Sequence, residues 1–182
     1  MQSSTRILAT VVAAALIGVL DSAPSRLLAQ GGQAKLDDAT IVAIFDAANT
    51  YDIETGSIAA REGHSKAVRE FGAMLERDHR SVRAQGRNLA KSLHVTPTPP
   101  KDFALAKEHV ATIRSLNRVR GKEFDRAFLR HEIDFHNEVI DAVTITLLPA
   151  TQNAQLKDLE TKVAPAFVAH RDRAQTLLSE LK

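Results

Sequence analysis

From Asp38 to Leu181 the hydrophobic residues recur at helical spacing, in four long segments that no strand-like alternation interrupts. A segment of this kind buries one stripe and needs other helices to cover it. The first is expected from Asp37 or Asp38, either a suitable N-cap, to Gly63, and the second from about Ser65 to Leu93. The run HVTPTPPKD then breaks the chain, because proline lacks the N–H a helix interior needs. A shorter helix is predicted over roughly Phe103 to Val119. The third long helix follows over about Lys122 to Leu148, and the fourth over about Ala154 to Leu181, with a kink at Pro165. Two long helices joined tightly, a long connection, and two more predict an all-α four-helix bundle with one extended crossover that carries a short extra helix.

At about 100° per residue, each long helix places an ionisable side chain on its inward stripe. Asp52 falls amid Ile41, Ile44, Phe45, Ala48, Thr55 and Ala59. Asp78 and His79 flank the centre of Val68, Phe71, Leu75, Val82 and Leu89. Glu132 and His136 lie one turn apart in the broad apolar arc of the third helix, with Asp125 at the same angle and His131 at the other edge beside Phe128 and Phe135. His170 interrupts Leu159, Val163, Phe167, Ala174 and Leu177. A lone buried carboxylate costs several kcal/mol, so such groups pair, stay protonated or bind a cation. Two readings follow. Asp52, Asp78 and Glu132 accept hydrogen bonds from His79, His136 and His170 in a network that sets helix register, or the six residues ligate a metal in the bundle core.

Three stretches resemble a known bacterial family: YDIETGSIAAREGHSKAVREFGAMLERDH, GKEFDRAFLRHEIDFHNEVI and VAPAFVAHRDRAQ. The family is the domain of unknown function 4142. The resemblance runs from about Asp38 to Leu181 and rests on an acid before a G-x-x-A step (Asp52), a D-H pair (Asp78, His79), F-D leading to a His (Phe124, Asp125, His136), and Pro165 followed by His170. It implies a ferritin-like fold and an exported or outer-membrane location, and leaves the activity open. Ferritin-like dimetal proteins use two Glu-x-x-His motifs. Here Glu76 has that spacing from His79 but points off the stripe, and Phe167 stands where the other motif would need Glu. The site is therefore His-rich, which favours a single Zn, Fe, Mn or Cu ion over an oxygen-activating di-iron centre.

The N-terminus reads separately. MQSSTR is a short basic region, Ile7 to Leu20 is apolar but shorter than a bilayer span, and small residues follow. Residues 1–34 are expected to be a signal peptide cleaved near Ala29 or Ala34, leaving the bundle over 35–182 and placing the protein in the periplasm or at the outer membrane. With no cysteine, thiol catalysis, disulfides and Cys-ligated metals are excluded. The formal charge of +2 gives no reason to expect nucleic acid. Arg69, Arg80, Arg83, Arg87 and Lys91 form an outward stripe that is either a solvated, paired face or a contact for an anionic envelope surface. No G-x-S-x-G, phosphate-binding glycine loop or H-E-x-x-H is present. The expected function is an envelope module, metal-binding and stress-related, with a metal-dependent oxidoreductase acting on peroxide or on the metal as the alternative.

Overall fold

The computed structural model describes residues 36–181, and all their regular structure is helical. The signal-peptide expectation lies outside the described residues. Among them, no helix is long and apolar enough to cross a membrane. Helix α1 spans Asp38–Glu62, with the Asp37 carboxylate accepting from the Thr40 N–H at 2.9 Å. Helix α2 spans Lys66–Ser92, with Ser65 accepting from the Val68 N–H. Both caps satisfy N–H groups that have no partner in the first turn. The crossover holds α3, Ala104–Leu116, which ends a few residues earlier than its hydrophobic pattern predicts. Helix α4 covers Gly121–Asp141 and α6 covers Ala154–Glu180, continuing through Pro165.

One expectation needs correction. The third long helix does not stay α-helical to Leu148: Ala142–Leu147 widens into a π-helical turn before the short α5, Leu148–Ala150. Four consecutive β-branched residues, Val143 to Thr146, crowd this turn, and the Thr144 hydroxyl donates to the Ile140 carbonyl at 2.8 Å, competing with the backbone ladder.

Helices α1 and α2 form the most extensive pair, α4 and α6 the next, and the two pairs meet through α2 with α6 and α1 with α4. Gly56 and Gly72 make the first pair possible. A Cβ on Gly72 would lie 2.6 Å from the Gly56 carbonyl oxygen, and one on Gly56 would lie 2.8 Å from the Gly72 oxygen. Glycine costs about 1 kcal/mol against alanine inside a helix, and here the close backbone approach offsets it. The turn between these helices is fastened from α4: Asp125, fully buried, accepts from the His64 and Ser65 N–H groups at 2.7 and 2.9 Å.

The apolar interior is in two parts. One gathers Ile41, Phe45, Phe135, Val139, Leu156 and Phe167, and the other Ala59, Phe71, Leu75, Phe124, Phe128 and Leu177. Along every long helix the boundary between the parts falls at the ionisable residues, so a polar layer divides the core.

Candidate metal centre

Five of the six expected residues meet in that layer. Asp52 of α1, His79 of α2, Glu132 and His136 of α4, and His170 of α6 are all buried, none more than 5% exposed. Asp78 does not join them. Its side chain is 35% exposed and pairs with Arg77, while its other oxygen lies 3.4 Å from His170 Nε2. Neighbouring residues on a helix point about 100° apart, so when His79 takes the inward position Asp78 is turned to the rim. Glu76 faces outward onto Arg80 at 2.7 Å.

Two polar residues absent from the expected set, Thr55 and Asn49, orient these side chains. Thr55 Oγ1 donates to Glu132 Oε1 at 2.9 Å. Asn49 Nδ2 donates to the Phe45 carbonyl at 2.8 Å, which turns its Oδ1 toward His79 Nδ1 at 3.0 Å. Their spacing from Asp52, three residues on either side, was the available signal.

The hydrogen bonds fix the imidazoles. His79 donates from Nδ1 to Asn49, with Asp52 Oδ2 3.4 Å away, so its Nε2 accepts from His170 Nδ1 at 3.2 Å. His136 Nδ1 donates to the Glu132 carbonyl at 2.9 Å, which leaves the lone pair on Nε2. The Phe167 ring stacks against His79 with centroids 5.9 Å apart and closes one side.

Three buried atoms in this layer have no hydrogen-bond partner: Asp52 Oδ1, Glu132 Oε2 and His136 Nε2. His136 Nε2 is an acceptor in the tautomer that the geometry implies, and the two carboxyl oxygens are acceptors whenever their groups are ionised. Burial, with each carboxyl near the other, drives Asp52 well above the usual carboxylate range. Burial raises Glu132 as well, opposed by its bonds to Thr55 and Asp52. Burial pushes His136 down to about 3, with His170 adding to the effect, and it lowers His79 for the same reason. The layer is therefore short of positive charge, and a proton or a metal cation answers the deficit. Asp52, Glu132 and His136 bring ligand atoms within 4.8 Å of one another, and so do His79, His136 and His170. His136 is common to both sets, and these buried groups could hold a metal ion.

Arg69 donates to the Gly63 and His64 carbonyls, Arg80 to Glu76, Arg83 to Thr50 and Arg87 to Asp46, so four of the five cations in the α2 stripe have partners on the protein. Glu160, which helical periodicity did not single out, is fully buried and accepts from Thr151 at 2.8 Å.

No curated protein and no solved structure matches the chain. The model of a family described as Domain of unknown function (DUF4142) matches residues 23–177, a span that contains every residue of the polar layer. The chain belongs to that family.

Proposed function

We propose that the polar layer is a metal-binding site inside a ferritin-like four-helix bundle, and that the protein is an exported module of the cell envelope. One observation carries the metal reading: three buried atoms without a hydrogen-bond partner, on residues whose ligand atoms already converge. A network closed on itself would pair these atoms, and leaving each one unmade costs about 1–3 kcal/mol. Asp52, Glu132 and His136 would hold the ion, with His79 and His170 completing the donor set. Nitrogen and oxygen donors without sulfur suit Zn, Fe, Mn or Cu. Bound there, the ion supplies a fixed positive charge and Lewis acidity.

The chain's own residues do the rest. Thr55 holds Glu132, Asn49 fixes the tautomer of His79, and the Glu132 carbonyl aims the free nitrogen of His136. Asp78 at the rim lies 3.4 Å from the outer nitrogen of His170, which would carry the ring proton once Nδ1 turned its lone pair to the ion. The enclosure of His79, Glu132 and His136 favours retention of an ion over turnover of a substrate, so the reading is a binding module and not an oxidoreductase. Export rests on the leader-like composition of residues 1–34.

The test is elemental analysis of the purified protein, chelator-treated and then offered Fe, Mn, Zn and Cu. We expect about one tightly retained ion per chain, lost in His136→Ala. Retention of none of the four metals would leave a proton-satisfied network in its place. Consumption of peroxide or oxygen by the loaded protein above background would restore the enzyme.

A further inference from the structure

The polar layer reaches solvent at Asp78. Asp52, His79, Glu132 and His136 are sealed, none more than 3% exposed, and the Phe167 ring covers His79 and meets His136 edge-on. His170 of α6 stands between inside and outside. Its Nδ1 lies 3.2 Å from His79 Nε2, and its Nε2 lies 3.4 Å from Oδ2 of the half-exposed Asp78.

The hydrogen bonds decide what this rim pair offers. His79 gives its Nδ1 proton to Asn49, so its Nε2 accepts from His170 Nδ1. A neutral imidazole carries one N–H, and burial lowers His170 despite the opposing pull of Asp78. The lone pair of His170 is therefore on Nε2 and faces the Asp78 carboxylate. Two acceptors confront each other there. Where an imidazole and a carboxylate of this chain do share a proton, between His109 Nε2 on α3 and Glu54 Oε2 on α1, they close to 2.6 Å.

The cations nearby are held aside. Arg77 spends its Nε and Nη2 on Asp78 Oδ1, at 3.0 and 2.9 Å, and leaves Oδ2 to face His170. Arg171, the neighbour of His170, turns to Asp172 at 2.7 Å. The Arg77–Asp78 pair is exposed on the arginine side, and surface pairs of this kind open at little cost.

Resting on the metal reading above, we propose that Asp78 and His170 form the port through which the cation enters and leaves the polar layer, with Arg77 as its latch. Asp78 Oδ2 and His170 Nε2 receive the cation at the rim once Arg77 lets go of the carboxylate. His170 then turns the lone pair of Nδ1 inward, and its single ring proton passes through solvent from Nδ1 to Nε2, where Asp78 accepts from it. Asp78 is thus a residue of passage and not of the final donor set. A port lowers one barrier that is crossed in both directions, so it changes capture and release together.

The test is stopped-flow mixing of the full chain with Zn²⁺ and a chromophoric chelator, which gives capture rate, release rate and Kd separately. Asp78→Asn removes the rim charge but keeps an oxygen that accepts from His170. We expect it to slow capture and release alike, by about tenfold, with Kd shifted less than either rate. Arg77→Ala, at an exposed position, should speed both severalfold. Unchanged rates in both variants, in a chain that still binds the ion, overturn the port and leave the core site standing. Faster release with unchanged capture in Asp78→Asn makes Asp78 a partner of the bound ion only, and overturns the port too. Faster capture in Phe167→Leu, with no effect of Asp78→Asn, moves the entrance behind Phe167 and does the same. A wild type that takes up no ion sinks the core reading, and the port with it.

Discussion

The two readings of the polar layer predict opposite signs for one conservative change, Glu132→Gln. The amide oxygen keeps the bond that Thr55 donates to Oε1 at 2.9 Å. The amide nitrogen takes the place of the unpaired Oε2 and offers a donor to Asp52, whose Oδ1 is also unpaired. In metal-free protein at pH above about 8, where Glu132 would otherwise ionise, the substitution thus supplies a permanent neutral donor, for a gain of about 1 kcal/mol. For a domain of this size that raises Tm by about 2–4 °C. With metal the sign reverses. An ion at 100 times its Kd stabilises the wild type by about 2.7 kcal/mol, or about 5–11 °C. If loss of the carboxylate weakens binding about a hundredfold, the same metal concentration stabilises the variant by only about 0.4 kcal/mol, or about 1–2 °C. Calorimetric melts of both proteins, chelated and loaded, give the four numbers. A variant that melts well below wild type without metal, or shows the full metal-induced shift, refutes the argument that Glu132 Oε2 waits for a cation.

Gly72→Ala should destabilise by about 2 kcal/mol despite its gain in helix propensity, because the new Cβ meets the Gly56 oxygen at 2.6 Å and the Ala60 nitrogen at 2.7 Å, both backbone; chemical denaturation measures it. Asp125→Asn, which sets an amide N–H against a backbone N–H, should cost about 2 kcal/mol and loosen the α1–α2 turn, seen as faster amide exchange at His64 and Ser65. Asp78→Ala, at a rim position paired with Arg77, should cost less than about 1 kcal/mol, and a loss above about 2 would place it in the core after all. In metal-free protein the depressed histidines contribute stability that is present above their unfolded value of about 6.5 and lost as pH falls below it. The raised carboxyls Asp52 and Glu132 contribute stability that is present below about 4 and lost as pH rises through their folded values. Tm without metal should therefore decline as pH rises from about 7 through about 8, where Glu132 loses its proton, while the metal-induced gain grows as the ligands shed protons.

Helix limits were readable where the chain spells them chemically. Asp37 and Ser65 are side-chain caps, Gly63 ends α1, and the prolines from Pro97 on keep the chain beyond α2 out of helix. The π turn after Asp141 has no such signature, since a crowded β-branched run is compatible with an ordinary helix. In the polar layer, rotation about the helix axis placed Asp52, His79, Glu132, His136 and His170 inward but could not separate Asp78 from His79, which share an edge of the stripe. Asn49 escaped because an uncharged polar residue carries little burial penalty to announce itself, and its role comes from a partner thirty residues away. The His109–Glu54 pair spans 55 residues and two helices, and no periodicity within either helix encodes it.

The order of assembly follows from where the polar layer lies. Asp52 and His79 belong to the α1–α2 hairpin, while Glu132, His136 and His170 belong to the α4–α6 half. Each three-ligand set draws one member from the first half and two from the second. Local contacts let each half form early, whereas docking must first close the loop that contains the crossover. Neither half alone presents three converging ligands, so a chain still folding has no complete trap for a passing ion. The rate at which metal is captured would then report the last step of folding, and an ion once captured would act as a latch against the halves parting.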